Sequence, residues 1–159
     1  MHPPEETFHT VRGYELQRRG RRQVTACMED YIEMLYRLSA GSQPVRMSDL
    51  ARALNVKLPS ATKMVKKIAE HGYLSYDRHS LLELTGRGRQ LGGYLIRRHS
   101  VIERFLRLIG VEQGLLEQIE KIEHNISEAA LARLEQLVSF AEANPGWTAE
   151  LQRHLGQQP

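Results

Sequence analysis

The segment from Ser60 to Gly72 constrains the fold more than any other, because its apolar residues and its lysines fall on opposite faces of one helix. Pro59 suits the first turn of such a helix, and Gly72 suits the position just past its end. The apolar residues recur at i, i+3, i+4 and i+7: Ala61, Met64, Val65 and Ile68. The lysines of the other face and of the approach to the helix are Lys57, Lys63, Lys66 and Lys67. The segment therefore predicts a helix with a buried face and a positively charged outer face.

The elements around this helix predict a winged helix-turn-helix over residues 24–88. Before it, a helical period runs from Val24 to Leu38, and SDLARALN indicates a short helix that Ser48 caps and Asn55 closes. After it, YLSYDR and SLLELT flank a short polar turn, which is typical of a small hairpin. The first helix is expected to bury Met28, Tyr31, Ile32, Leu35 and Leu38. Helix, helix, turn, helix and hairpin in this order are typical of a DNA-binding domain.

The helical patterns of residues 89–159 predict an α-helical domain. The chain is therefore expected to be mainly α. A long helical pattern starts at Thr85, and its apolar residues occupy more than one face. A helix that is apolar on two sides needs two partners, and a second subunit is the simplest second partner. Helices are also predicted over residues 115–126 and from Glu128 to Ala143, and a short last helix is expected after NPGW.

Composition limits the classes of protein that the chain can belong to. Hydrophobic residues make up 41 % of its 159 residues, which is ample for a core, and no apolar run approaches a membrane span. The net charge is +3, and 22 Lys and Arg residues leave room for a local basic surface. With a single cysteine, Cys27, and no signal-peptide pattern, we expect a cytoplasmic protein that does not associate with membranes. Residues 1–23, with the run RRGRR, predict a disordered basic tail.

The stretch EKIEH places two carboxylates and an imidazole within five residues. On a helix, positions i, i+3 and i+4 project from one side, so Glu120, Glu123 and His124 could share a ligand. The apolar residues of the same segment, such as Ile119 and Ile122, could anchor the helix on a core. Taken alone, the stretch is more typical of an ordinary solvated helix face, because acid pairs at i and i+3 are common on helix surfaces.

Three further residues have the chemistry of metal ligands: Asp30 and Glu33 on the first helix, and His99 in the long helix. Taken individually, each of them is more often a plain surface residue than a ligand. Together with EKIEH they offer four carboxylates and two imidazoles. Oxygen-rich sets with one or two imidazoles suit divalent ions such as Mn(II) or Fe(II), whereas thiolate sets suit Zn or Cu(I).

The chain resembles the manganese transport regulators, a branch of the diphtheria toxin repressor family. The resemblance rests on MEDYIEMLYRL, LARALNVKLPSATKMVKKIAEHGYLSY, LTGRGRQLG, IRRHSVIERFLRLIGV and IEKIEHNIS, in that order between Ala26 and Phe140. It implies a homodimeric, metal-activated repressor whose residues 89–159 form a metal-binding and dimerisation domain. It also implies two Mn(II) ions per subunit, held by Asp30, Glu33, His99, Glu120, Glu123 and His124. Iron-responsive relatives have Met where Asp30 stands and Cys where Glu120 stands, so the two carboxylates here favour the harder ion, Mn(II).

As such a repressor, the dimer would read a palindromic operator in double-stranded DNA, with its two recognition helices about 34 Å apart. Metal binding would restrict the motion that otherwise spoils this spacing. Four residues are expected near base edges: Pro59, Ser60, Thr62 and Lys63. Three are expected near phosphates: Lys57, Lys66 and Lys67. Arg78 and His79, at the tip of the wing, are candidates for backbone or minor-groove contact.

Two alternatives remain open from the sequence. The chain could be a winged-helix regulator that senses Fe(II) or a signal other than metal. It could also be a carboxylate-bridged di-metal enzyme, since Glu and His residues on helices build such sites. The enzyme alternative fits worst, because those bundles use paired E-x-x-H repeats, which are absent from this sequence, and have no use for a winged helix with outward lysines.

Overall fold

The computed structural model describes residues 24–39, 43–77 and 81–156. They form two compact units: the first ends at Gly88 and the second begins at Arg89. The predicted tail of residues 1–23 lies outside the described residues, as do Arg78 and His79. Among the described residues, no helix combines the length and the apolar character needed to span a bilayer.

The first unit opens with helix α1, Ala26–Leu38, whose apolar stripe forms much of its core. The Thr25 hydroxyl caps the helix by accepting a hydrogen bond from the Met28 backbone N–H at 3.3 Å. Met28, Ile32 and Leu35 are almost fully buried, and the helix packs against the two helices that follow and the last strand of the unit. Leu38 was predicted to be buried, but it is 42 % exposed because it is the last residue of the helix.

The predicted helix-turn-helix consists of α2, Met47–Ala53, and α3, Leu58–Glu70. Ser48 was predicted to cap α2, but the helix begins at Met47 with Arg46 in the N-cap position, so Ser48 lies inside the first turn. Asn55 closes α2 as predicted, with a positive φ of 53° and its N–H donated to the Arg52 carbonyl. The core face of α3 buries Ala61, Val65 and Ile68 completely.

A small antiparallel sheet completes the first unit. Its strands are β1, Val45–Arg46; β2, Leu74–Tyr76; and β3, Leu81–Leu84, in the order β1-β3-β2. Strands β2 and β3 are the predicted hairpin, whereas β1 was not predicted. Val45 pairs with Leu82 and Arg46 with Leu81, so β1 is defined by its partner strand. The mainly helical fold with an N-terminal winged helix-turn-helix is thus confirmed.

The long helix α4 spans Gly86–Leu108, and its first turn is tied to the hairpin. The Thr85 hydroxyl donates to the Gly72 carbonyl at 2.8 Å and accepts from the Gly88 N–H at 3.1 Å. Gly88 is required here, because a Cβ at this position would collide with the carbonyl oxygen of Tyr73. The start of α4 and the base of the wing are therefore fixed to each other.

The second unit contains the rest of α4 and three shorter helices: α5, Leu115–Glu123; α6, Glu128–Ala143; and α7, Pro145–Gly156. Its core joins three of these helices through Val101, Ile102, Leu106, Ile119 and Leu131. Helix α7 is attached by hydrogen bonds, with Gln152 Nε2 donating to the Leu108 carbonyl at 2.6 Å and the Thr148 hydroxyl donating to the Ala141 carbonyl at 2.7 Å.

Candidate metal centre

A buried carboxylate and an imidazole meet where α4 packs against α5. The Nδ1 atom of His99 lies 3.1 Å from Oε2 of Glu123. The Glu123 side chain is only 2 % exposed and that of His99 is 16 % exposed. A carboxylate withdrawn from water in this way requires charged or hydrogen-bonding partners. His99 is one such partner, so these two residues form the interior end of the candidate site.

His124 brings a second imidazole to the same carboxylate. Its Nε2 lies 3.8 Å from Oε1 of Glu123 and 3.9 Å from Oε2 of Glu120. One potential ligand atom from each of these three residues lies within 4.8 Å of the others. Glu120 is 52 % exposed and His124 is 20 % exposed, so the cluster extends from the interior to the surface. We call Glu120, Glu123, His124 and His99 the α4–α5 cluster.

The local sequence explains how α5 presents these side chains. Ile119 is buried in the core of the second unit, and this orients the helix so that the adjacent face carries Glu120 and Glu123. His124 was expected inside the helix, but α5 ends at Glu123 and His124 occupies the C-cap position. Its backbone remains in the right-handed helical region, with φ −77° and ψ −14°, so its imidazole still reaches both carboxylates.

Asp30 and Glu33, the two candidate ligands of the first unit, lie three residues apart on α1. Both are partly buried, and the Glu33 side chain is only 12 % exposed. Oε1 of Glu33 accepts hydrogen bonds from Nη2 of Arg37 at 2.7 Å and from its Nε at 3.1 Å. This two-point contact orients the Glu33 carboxylate.

The donor set fits a divalent cation of the harder kind. The α4–α5 cluster offers carboxylate oxygens and imidazole nitrogens, the donors that suit Mn(II) and Fe(II). Cys27, the single thiol of the sequence, is exposed on α1. Partial burial of its sulfur raises the pKa of the thiol, and the nearby Asp30 carboxylate raises it further. Among the described residues, Cys27 belongs to neither group of side chains placed to hold a metal ion, so the candidate donors are oxygen and nitrogen atoms.

The outer face of α3 carries most of the residues that were predicted to contact DNA. Six of the predicted residues on α3 and on the approach to it are exposed: Lys57, Pro59, Ser60, Lys63, Lys66 and Lys67. Thr62 is partly buried, and its hydroxyl donates to the Leu58 carbonyl at 2.9 Å. The lysines therefore present a positive surface on one side of the recognition helix, as phosphate contacts require.

Two buried charged residues were not singled out from the sequence. Glu29 on α1 is 7 % exposed, and Arg98 on α4 is 2 % exposed. The Arg98 guanidinium lies 6.0 Å from the centre of the Tyr94 ring. Arg98 directly precedes His99, and Glu29 directly precedes Asp30. Their position in the sequence, directly before a candidate ligand on the same helix, was the one signal that could have singled out these two buried residues.

Comparisons with known proteins agree with this architecture. Residues 23–81 match the family model of the iron dependent repressor N-terminal DNA binding domain. Residues 85–148 match that of the iron dependent repressor metal binding and dimerisation domain. The HTH-type transcriptional regulator MntR of Lysinibacillus sphaericus is 43 % identical over 129 residues, which cover 80 % of this chain and 93 % of the relative. That of Geobacillus kaustophilus is 44 % identical over 117 residues, which cover 73 % and 83 %.

Solved structures of metal-dependent regulators also match this chain, at lower sequence identity. The manganese regulator SloR matches with a TM-score of 0.62 and 28 % identity, covering 71 % of this chain and 54 % of SloR. The metal-dependent transcriptional regulator MtsR matches with a TM-score of 0.65 and 27 % identity, covering 71 % and 54 %. This chain thus spans about half the length of these two structures. The resemblance inferred from the sequence motifs is confirmed. The chain belongs to the iron dependent repressor family, and it is a DNA-binding, metal-responsive transcription regulator and not an enzyme.

Proposed function

We propose that this protein is a Mn(II)-responsive repressor of manganese-uptake genes. Two ions per subunit would be held by the α4–α5 cluster together with Asp30 and Glu33 of α1. The observation that carries the proposal is the buried Glu123 carboxylate, which has the imidazoles of His99 and His124 on either side. A carboxylate in this position would help to hold the cations together with the two imidazoles, because each of its oxygens faces a nitrogen of a different histidine.

The choice of metal rests on Asp30 and Glu120. Both are carboxylates, which favour Mn(II) over softer ions that prefer sulfur ligands. The solved relative SloR is described as a manganese regulator, and another structure, 28 % identical with a TM-score of 0.63, is described as a manganese-dependent transcriptional repressor in complex with manganese. These descriptions support Mn(II) as the ion that activates this chain as well.

The bound ions would be positive charges held by ligands from several helices. His99 belongs to α4, while Glu120, Glu123 and His124 lie on or at the end of α5. Asp30 and Glu33 belong to α1, whose apolar stripe packs against the helix-turn-helix. Ligands on three helices restrict the relative motion of those helices once they share a cation. A dimer with less internal freedom loses less entropy when both recognition helices bind one DNA site.

On DNA, the lysines of α3 would contact phosphates, and the residues at its N-terminal end would face base edges. A homodimer with two such helices about 34 Å apart would read a palindromic operator. The repressor would act in the cytoplasm, where its DNA target lies. DNA would thus be bound by the first unit, whereas the metal ligands would come from α1 of the first unit and from α4 and α5 of the second.

A DNA mobility-shift assay tests the proposal. The probe is a promoter fragment of a manganese-transporter gene, titrated with the protein in a chelator and then anaerobically with Mn(II), Fe(II) or Zn(II) at one salt concentration. We expect a specific shift with Mn(II) and a much weaker one in the chelator. Equal affinity with and without every metal would exclude the proposed function. Activation by Fe(II) alone would correct the metal and leave the repressor function intact.

A further inference from the structure

The turn that follows α5 is held by hydrogen bonds on both sides of His124. The Ile126 N–H donates to the Ile122 carbonyl at 3.0 Å, and the Asn125 N–H donates to the same carbonyl at 2.9 Å. Farther along, the Ser127 hydroxyl accepts from the Ala130 N–H at 3.2 Å and so caps α6. Ile126 is partly buried against the core of the second unit. The backbone at His124 is therefore part of a tight and anchored connection between α5 and α6.

Within this turn, the Asn125 side chain makes a bond that the backbone cannot make. Its Nδ2 donates to the Lys121 carbonyl at 3.1 Å. The last carbonyls of a helix have no partner within the helix, and a side-chain amide that bonds one of them fixes the end of the helix. Lys121 lies three residues before His124, and Asn125 directly follows His124. The bond therefore closes a loop of backbone around the C-cap histidine.

We propose that Asn125 is a positioning residue of the metal site. Through its bond to the Lys121 carbonyl, it holds the backbone from which His124 projects. The His124 imidazole approaches Glu120 and Glu123 because its backbone stays in the right-handed helical region at the end of α5, and the hydrogen bonds of the turn hold that backbone. Loss of the amide leaves the apolar anchors in place but loosens the one residue that joins the surface carboxylate to the buried one.

The second unit contains a matched control for this role. At the end of α6, Asn144 Nδ2 donates to the Phe140 carbonyl at 2.7 Å, again four residues back. Asn144 is the C-cap residue of α6 and is not adjacent in sequence to any proposed ligand. The Asn125→Ala and Asn144→Ala substitutions therefore remove the same kind of helix-terminal hydrogen bond. They differ in whether a proposed metal ligand lies in the turn.

The experiment compares full-length wild type, Asn125→Ala and Asn144→Ala in three measurements. Equilibrium dialysis gives the Mn(II) dissociation constant, thermal unfolding gives the stability of the metal-free protein, and hydrogen exchange gives the protection of the Asn125 and Ile126 amides without metal. We expect Asn125→Ala to raise the dissociation constant about tenfold, as for the loss of a group that orients a ligand. Both variants should lose comparable thermal stability, and only Asn125→Ala should speed exchange in the turn.

This inference rests on the proposed function, and its failure is distinguishable from failure of that function. If the wild type binds no divalent metal, both the function and the positioning role are wrong. If the wild type binds Mn(II) but the two variants lose affinity equally, or Asn125→Ala loses none, only the positioning role of Asn125 is overturned. Faster exchange in the turn without a change in affinity would likewise assign Asn125 to stability alone.

Discussion

The Nδ1 atom of His99 lies 3.1 Å from Oε2 of Glu123, although 24 residues separate them in the sequence. The contact joins α4 to α5 at a carboxylate that is almost completely withdrawn from solvent. The two residues that surround Glu123 on its own element, Glu120 and His124, are more exposed. This difference in exposure makes it possible to remove ligands without damaging the core.

The first prediction concerns these two outer residues. Glu120→Ala or His124→Ala should weaken Mn(II) binding by about tenfold or more and reduce metal-activated DNA binding in parallel. The dimer should remain folded, because the apolar anchor of α5 is Ile119. Metal titrations with a mobility-shift readout measure the effect. Glu117→Ala is the control, since Glu117 is exposed on the same helix and pairs with Lys121 at 2.6 Å. Unchanged Mn(II) activation in both site variants would remove the site assignment.

The second prediction concerns the lysines of α3. Lys66→Ala and Lys67→Ala should each lower affinity for operator and random DNA alike, and each should reduce the slope of log affinity against log salt by about 1. Fluorescence anisotropy at several salt concentrations measures both quantities. Lys121→Ala, a lysine of the second unit, should leave the slope unchanged. A loss confined to the operator sequence would instead place these lysines at base edges.

The third prediction tests the close approach of α4 to the hairpin. Gly88→Ala should destabilise the protein by about 1–3 kcal/mol, because the added Cβ collides with the backbone oxygen of Tyr73. Gly86→Ala, two residues earlier, meets open space and should be neutral or stabilising by up to about 1 kcal/mol. Denaturant unfolding of the metal-free protein measures both. Equal effects at the two positions would contradict the described contact.

The fourth prediction is a pH dependence within the second unit. The Arg104 guanidinium donates two hydrogen bonds to the Glu142 carboxylate, at 2.9 and 2.6 Å, and these hold the pKa of Glu142 below its ordinary value. A carboxyl whose pKa is lower in the folded state stabilises the fold above its unfolded pKa, and this contribution is lost as pH falls through the folded value. Glu142→Gln should therefore be less stable than the wild type at pH 7, and the difference should vanish in strong acid.

The pair is exposed, so the effect at neutral pH should be small and sensitive to salt. Denaturant unfolding at pH 7 and below the ordinary pKa of Glu, about 4.3, measures it. In an Arg104→Gln background the Glu142→Gln substitution should have little further effect at either pH. A difference that persists in acid would show that Glu142 acts through something other than its charge.

The fifth prediction concerns metal selectivity. Asp30→Met with Glu120→Cys replaces two carboxylates by a thioether and a thiol, which suit softer ions. The double variant should shift activation from Mn(II) towards Fe(II) or Co(II), measured as DNA affinity in anaerobic titrations at one salt concentration. A Cys27→Ser background ensures that the new thiol is the single one in the chain. Proportional weakening for all three metals would show that coordination number and cavity size, not ligand softness, set the preference.

Much of the fold could be predicted because the long helices carry their own periodicity. The core faces of α1 and α3 follow directly from residues such as Ile32, Val65 and Ile68. Strand β1 could not be predicted, since two residues show no alternation and Val45 becomes a strand only by pairing with Leu82. The start of α2 was predicted one residue or more too late, because strand β1 runs directly into the helix. Arg46 therefore takes the N-cap position that was predicted for Ser48.

The candidate site was predictable in part. The spacing of Glu120, Glu123 and His124 indicated a shared face, but not that His124 leaves the helix. The contact of His99 with Glu123 depends on how α4 packs against α5, which no local spacing encodes, so the family resemblance was needed to select His99. The participation of Asp30 and Glu33 remains a prediction, and the Asp30→Met and Glu120→Cys double variant tests the role of Asp30.

The graded exposure of the α4–α5 cluster would set the order in which the proposed cation meets its ligands. Exposure falls from 52 % at Glu120 to 20 % at His124 and 2 % at Glu123, so the hydrated surface carboxylate is the group that an arriving ion would meet first. Release would require the reverse order, with the buried carboxylate giving up its share before Glu120 does. Residence time should therefore depend most on Glu123, and the speed of capture most on Glu120.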